Sequence, residues 1–143
     1  MSGTRAHALA VLLAAGTLAA FSGCAANNVQ SPAPAEGETV GARHILLMYE
    51  GSERAPAKVT RTKEEAKTLI EEIKQKIDQG EKLEDLAMQY SDCPYSTKGG
   101  DLGRFGRNQM APAFEEASFA CEVGGVTDIV ETPFGYHIIQ RYQ

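Results

Sequence analysis

Cysteine is scarce and poorly spaced in this chain. Cys24, Cys93 and Cys121 are an odd count, contain no CxxC pair, and stand at no metal-like spacing from His7, His44 and His137. That argues against a disulfide framework and against a zinc site. Basic residues are also few. The one before position 24 is Arg5, so the chain beyond it carries 13 basic against 19 acidic residues. Nucleic acid is therefore not an expected partner, because phosphate binding needs clustered Lys and Arg to replace counterions. With 143 residues there is room for one compact domain and some unstructured chain, not for two domains. No cofactor and no metal are expected, and the domain reads as a monomer.

Long apolar runs are missing too. The N-terminal run, Ala8 to Phe21, falls short of the roughly 20 residues that a membrane-crossing helix needs. With Arg5 and His7 ahead of it and small residues behind, it reads as a signal sequence. Phe21-Ser22-Gly23-Cys24 resembles the bacterial lipobox, with Phe21 where Leu is usual. The resemblance implies a signal peptide over 1–23, lipidation of Cys24, and a membrane anchor on an exported protein that faces the periplasm or the cell exterior. An ordinary secretory peptide, with Cys24 incidental, shares the export but not the anchoring. Ala25 lacks the Asp associated with inner-membrane retention, which leaves the outer membrane as a destination. Residues 24–41, rich in Ala, Asn, Ser, Pro, Glu and Gly, read as a flexible tether.

The folded part is expected over 42–143. Ala42 to Tyr49 is an apolar run of strand length. Thr62-Lys63-Glu64-Glu65 has the form of a capping box, and Ala66, Leu69, Ile70, Ile73 and Ile77 follow at helical steps, which predicts a helix to about Gln79 with Gly80 as its stop. Leu83, Leu86, Ala87 and Tyr90 predict a second, short helix. Gly99 to Gly106 reads as an irregular strand, and Pro112 to Phe119 as a helix with proline in its first turn. Val126 to Val130 and Tyr136 to Tyr142 read as two strands joined around Pro133-Phe134-Gly135. This order gives an α+β domain with a largely antiparallel sheet.

By residue type alone, His44, Cys93 and His137 allow a Cys/His nucleophilic hydrolase. The residues around them point elsewhere. Ala42-Arg43-His44-Ile45-Leu46, Tyr90-Ser91-Asp92-Cys93, Gly99-Gly100-Asp101-Leu102-Gly103-Arg104-Phe105, Met110 with Phe114 to Phe119, and Thr132-Pro133-Phe134-Gly135-Tyr136-His137-Ile138-Ile139 resemble the successive signatures of the parvulin family of peptidyl-prolyl cis/trans isomerases, in the family's order over about 100 residues. Thr60 to Ala66, with cysteine at 93, is most similar to the Pin-type branch. The resemblance implies an FKBP-like four-stranded antiparallel sheet surrounded by about four helices, with the two histidines on neighbouring central strands.

Carried over residue by residue, the resemblance implies catalytic roles for His44, His137, Thr132 and Cys93. It implies a proline-ring pocket at Leu102, Met110 and Phe114, with Phe134 where the Pin-type branch often has serine. The substrates would be proline-containing polypeptides. A scaffold of this kind also admits a non-catalytic chaperone or adaptor. Phosphate-directed members use a basic cluster after the first strand. The matching positions here are Met48, Glu53 and Arg54, so Arg54 is the one cation left to touch substrate, with Lys58 and Arg61 nearby in the loop. A strict phosphate requirement is not expected.

Overall fold

The computed structural model describes residues 37–143. The expected signal peptide, the lipidated Cys24 and the tether up to residue 36 lie outside the described residues. Four strands and three α-helices follow in the order β1 (Thr39–Leu47), α1 (Lys63–Asp78), α2 (Leu83–Tyr90), β2 (Asp101–Gly106), α3 (Pro112–Ala120), β3 (Val130–Thr132) and β4 (Gly135–Arg141). A 3-10 turn over Pro94–Lys98, not anticipated from the sequence, stands in place of the fourth helix. The sheet has the order β2-β1-β4-β3 and every pairing is antiparallel.

Strand β1 shows why its sequence is apolar almost throughout: both of its faces are covered. Ile45 and Leu47, with Tyr136 and Ile138 of β4, pack on Ala66, Ile70 and Ile73 of α1 and on Leu83, Leu86 and Ala87 of α2. The opposite face carries Val40 and Ala42, which with Ile139 meet Phe105, Phe114 and Phe119. Leu46 and Met48 continue that face into a third cluster with Val59 and Cys93. Full burial of an Ile, Leu or Val side chain is worth about 1.5–3 kcal/mol. The back face, aliphatic but for Tyr136, holds no buried polar side chain of the site, whereas the front face carries the polar groups beside its own apolar cluster.

Local chemistry sets the ends of α1 as expected. Thr62 Oγ1 accepts the Glu65 N–H at 3.1 Å, Glu65 Oε2 accepts the Thr62 N–H at 2.7 Å, and Gly80 follows the C-cap with φ of +101°. Two expectations need correction. Strand β1 begins at Thr39, three residues inside the segment read as tether, because Val40 is fully buried and Thr39 to Gly41 pair with β2. The strand expected over Val126–Val130 lies instead at Val130–Thr132. Val126 makes only an isolated bridge to Gln140, and the Ile139 N–H goes to the Thr127 hydroxyl at 3.1 Å. That side chain replaces a carbonyl in the ladder and ends regular pairing there.

Candidate active site

The register of β1 on β4 places His44 opposite Ile139 and Leu46 opposite His137. The two histidines are thus diagonal neighbours on one face, close enough for their side chains to meet. Their Nδ1 atoms lie 3.2 Å apart and their rings stack at 5.4 Å between centroids. From His44, Nε2 reaches Cys93 Sγ at 3.0 Å; from His137, Nε2 reaches Thr132 Oγ1 at 2.7 Å. Cys93, His44, His137 and Thr132 form one buried chain of contacts across the two central strands and the edge strand β3.

Cys93 is brought there by its two neighbours in sequence. The Asp92 N–H donates to the Leu46 carbonyl at 2.8 Å, the Leu46 N–H to Ser91 Oγ at 3.0 Å, and the Met48 N–H to Asp92 Oδ2 at 2.9 Å. Arg61 completes the seam by pairing with Asp92 and donating to the Met48 carbonyl at 3.0 Å. On the far side of the thiol, Pro94 opens the 3-10 turn and Gly99 closes it in the left-handed region, and Gly100 then brings the chain against β1, where its carbonyl accepts the His44 N–H at 2.9 Å.

Two depressions meet at Cys93. The smaller, about 170 Å³, is lined by Leu102, Met110, Phe114 and Phe134 together with both histidines and Tyr95. It lies below the ~300–1,000 Å³ of ordinary ligand pockets, a size suited to one small ring rather than a whole ligand. Phe114 is 3% exposed and points its edge at His44 (5.3 Å) and at His137 (5.2 Å). The larger cleft, about 590 Å³, shares Cys93 and Phe134 and runs past Met48 to Arg54 and Lys58. Glu53 does not line it; its N–H ties the loop to the Pro133 carbonyl at 2.8 Å.

The family model for PPIC-type PPIase domains matches residues 26–142. The chain belongs to that family. It is 40% identical over 138 residues to the peptidyl-prolyl cis-trans isomerase pin1 of Schizosaccharomyces pombe, a match that covers 90% of this chain and 79% of that protein. Among solved structures it is similar to the peptidyl-prolyl isomerase ESS1 from Candida albicans, at 36% identity and TM-score 0.68, covering 78% of this chain and 67% of that one. A chain from the Campylobacter jejuni SurA-like chaperones PEB4 and the periplasmic protein Cj1289 aligns at 33% identity and TM-score 0.53, covering 73% of this chain and 38% of that one. The protein is a PPIC-type peptidyl-prolyl cis/trans isomerase with the parvulin fold.

Within this isomerase the protonation of the buried chain follows from burial and distances. Burial pushes His44 down to about 4; burial, with the neighbouring His44 as a smaller cause, pushes His137 down to about 3. Both are neutral at pH 7, so each imidazole carries one N–H. The Thr132 hydroxyl accepts the Phe134 N–H at 3.2 Å, and its other acceptor, the Gly135 carbonyl, is 3.5 Å away. Its proton therefore goes to His137 Nε2, His137 Nδ1–H donates to His44 Nδ1, and His44 Nε2–H donates to Cys93 Sγ. The sulfur also accepts the Tyr95 N–H, and burial pushes the thiol pKa up. An imidazole that already donates to the sulfur cannot take the thiol proton, so the nucleophilic hydrolase reading does not fit this arrangement.

The neutral pair has a consequence for stability. Unfolded, each histidine takes a proton near pH 6.5; folded, neither does until about 4 and 3. The unfolded state binds more protons below pH 6.5, so stability is fully present above that pH and falls as pH drops through the window. The expected slope between pH 6.5 and 5 approaches about 1.4 kcal/mol per pH unit for each histidine. Urea midpoints measured across that range test it, and a flat response would overturn the neutral pair.

The residues that sequence reasoning missed are those recruited over long separations. Leu46, Ala111 and Tyr95 join the walls of the small pocket. Ser91 and Asp92 stand in the signature before Cys93 and Arg61 in the loop after the first strand, but their part in holding the thiol-bearing segment on β1 has no local signal.

Proposed function

We propose that this isomerase acts on exported polypeptides from a lipid anchor at Cys24, turns X-Pro bonds without covalent chemistry, and needs no phosphorylated residue before proline. The observation that carries the catalytic reading is the small apolar pocket opening beside the Cys93 sulfur. A planar X-Pro amide is charge-separated and resists rotation by about 18–20 kcal/mol, and uncatalysed exchange takes tens of seconds or longer. Holding the ring between Leu102, Met110, Phe114 and Phe134 fixes one side of the bond while the other turns. Removing water from the amide disfavours the planar, polar form relative to the twisted one, where conjugation is lost. The thiol, its sulfur supplied with donors by His44 and Tyr95, keeps its own proton free for the substrate carbonyl. His137 and Thr132 act behind it by fixing the tautomers.

The absence of a phosphate requirement is supported by what surrounds the larger cleft. Met48 and Glu53 supply no cation, and Arg61 is engaged with Asp92. In a protease-coupled assay on the full chain, Ser-Pro peptides with and without phosphate should differ in kcat/KM by no more than about threefold. A phosphate preference of about 100-fold or more would refute the reading. Binding without any turnover would leave the chaperone or adaptor alternative.

Export and anchoring are supported by the short apolar run before Phe21-Ser22-Gly23-Cys24 and by the similarity to a chain from a chaperone pair that includes a periplasmic protein. In cells that process lipoproteins, labelled palmitate should enter the chain and be lost in Cys24→Ala. Equal labelling of the two would sink the anchor.

A further inference from the structure

Arg107, the first residue after β2, lies against the framework that builds the small pocket. Its guanidinium carbon is 3.6 Å from the Phe119 ring centroid, and its Nη1 stands 3.9 Å from Glu115 Oε1. Glu115 and Phe119 are one turn apart on α3, so a single planar group spans that turn. Phe119 meets Phe105 edge to face at 6.2 Å, and Phe105 leans on Phe114 at 6.0 Å. Arg107 thus ends a series of rings that runs to Phe114 and the two imidazoles, yet it lines neither depression at Cys93. The contact differs from an ordinary surface ion pair. Arg107 Nε and Glu115 Oε2 are buried without a hydrogen-bond partner among the described residues. Leaving such atoms unpaired costs stability, so charge pairing alone is a poor account of the arrangement. What the guanidinium secures is the loop it starts. Residues 107–111 join β2 to α3, turn at Asn108 with φ of +62°, and carry Met110 and Ala111 into the pocket wall.

We propose that Arg107 is a positioning residue for the isomerase reaction: lying across α3 on Phe119 and Glu115, it fixes the loop to Ala111 and so holds Met110 against the substrate proline ring. The proposal rests on the ring-pocket reading above. Pro112 in the first turn of α3 anchors the far end of the loop, and Gln109 Oε1 accepts the Gly106 N–H at 3.0 Å. Arg107 is the contact that ties the near end sideways to the helix. Met110 touches the ring and not the bond that turns, and the ring is gripped alike in the planar and the twisted state. A slack wall therefore weakens both states equally and shows in KM rather than in kcat. A lysine could not take over the role, because its ammonium is a point charge that lays no plane on the Phe119 ring.

The test is saturation kinetics on the full chain with an Ala-Pro peptide. Arg107→Gln should raise KM about fivefold and leave kcat within about twofold. Mere loss of folded protein gives the opposite pattern, a lower kcat at unchanged KM. Met110→Ala should raise KM by itself. Adding Arg107→Gln to it should raise KM by less than about twofold more, because the side chain that Arg107 places is already gone. If Arg107→Gln fails to fold, Arg107→Lys, which keeps the stem and the charge, carries the same cycle with a KM rise of about threefold. Full multiplication of the two effects in the double variant overturns the positioning role, as does an Arg107→Gln or Arg107→Lys KM that stays at the value of the unmodified protein. A Met110→Ala protein with unchanged KM and kcat would instead remove the ring pocket beneath it.

Discussion

Phe114→Ala should lower kcat/KM on X-Pro peptides by about 100-fold, the scale on which a misplaced reacting group costs an enzyme. The ring forms one wall of the proline pocket and sets its edge against both imidazoles, so its removal loosens the substrate and the histidine pair together. Truncating a buried Phe also costs about 3–5 kcal/mol of stability. Since a domain of this size holds roughly 5–15 kcal/mol, activity and urea unfolding have to be measured on the same preparation. Cys93→Ser is the contrasting variant. A hydroxyl still accepts from His44 and Tyr95 and still donates, so the expected loss is about tenfold, the worth of a weakened hydrogen bond. If the serine variant is natively folded and wholly inactive while Phe114→Ala turns over normally, the catalytic weight lies on the sulfur and the pocket mechanism fails.

The second large effect is at a glycine. Gly100 has φ of +74°, and a Cβ built there would run into the His44 carbonyl. Gly103, in β2, has a similar φ of +70° but open space around the same position. Gly103→Ala should therefore cost only the left-handed penalty, about 1–2 kcal/mol. Gly100→Ala should add an overpacking term of about 1–3 kcal/mol and displace the backbone that carries His44, reducing turnover as well. Paired urea melts separate the two contributions. Equal costs at the two sites would mean that β1 yields easily and that its approach to Gly100 does not hold the histidine in place.

How far the fold could be read in advance depends on the range of the interactions involved. Helix α1 was legible from end to end because its cap, its apolar stripe and its terminating Gly80 all act within a few residues. Strand β3 was not. Val126 to Val130 has strand composition, yet the Thr127 hydroxyl, twelve residues away in sequence from the amide it accepts, takes the place of a ladder carbonyl. The start of β1 was hidden for a related reason, since Thr39 and Gly41 look like linker until β2 pairs with them. In the candidate site, the pocket residues and the histidines were reached through the family resemblance. Ser91 and Asp92 were reached in the same way as residues, but the seam they form with Arg61 was not, because its hydrogen bonds join residues 13 to 45 positions apart and no periodicity announces them.

The placement of the two imidazoles on the inner strands bears on how this enzyme fails. His44 and His137 hang from strands that pair with each other and with β2 and β3 on their outer sides, so a fluctuation that parts the rings must also unzip the middle of the sheet. Such central elements open only with the whole molecule, whereas edges and loops breathe at much lower free energy. On heating, the spacing of the strands that carry the two imidazoles then persists until the sheet itself melts.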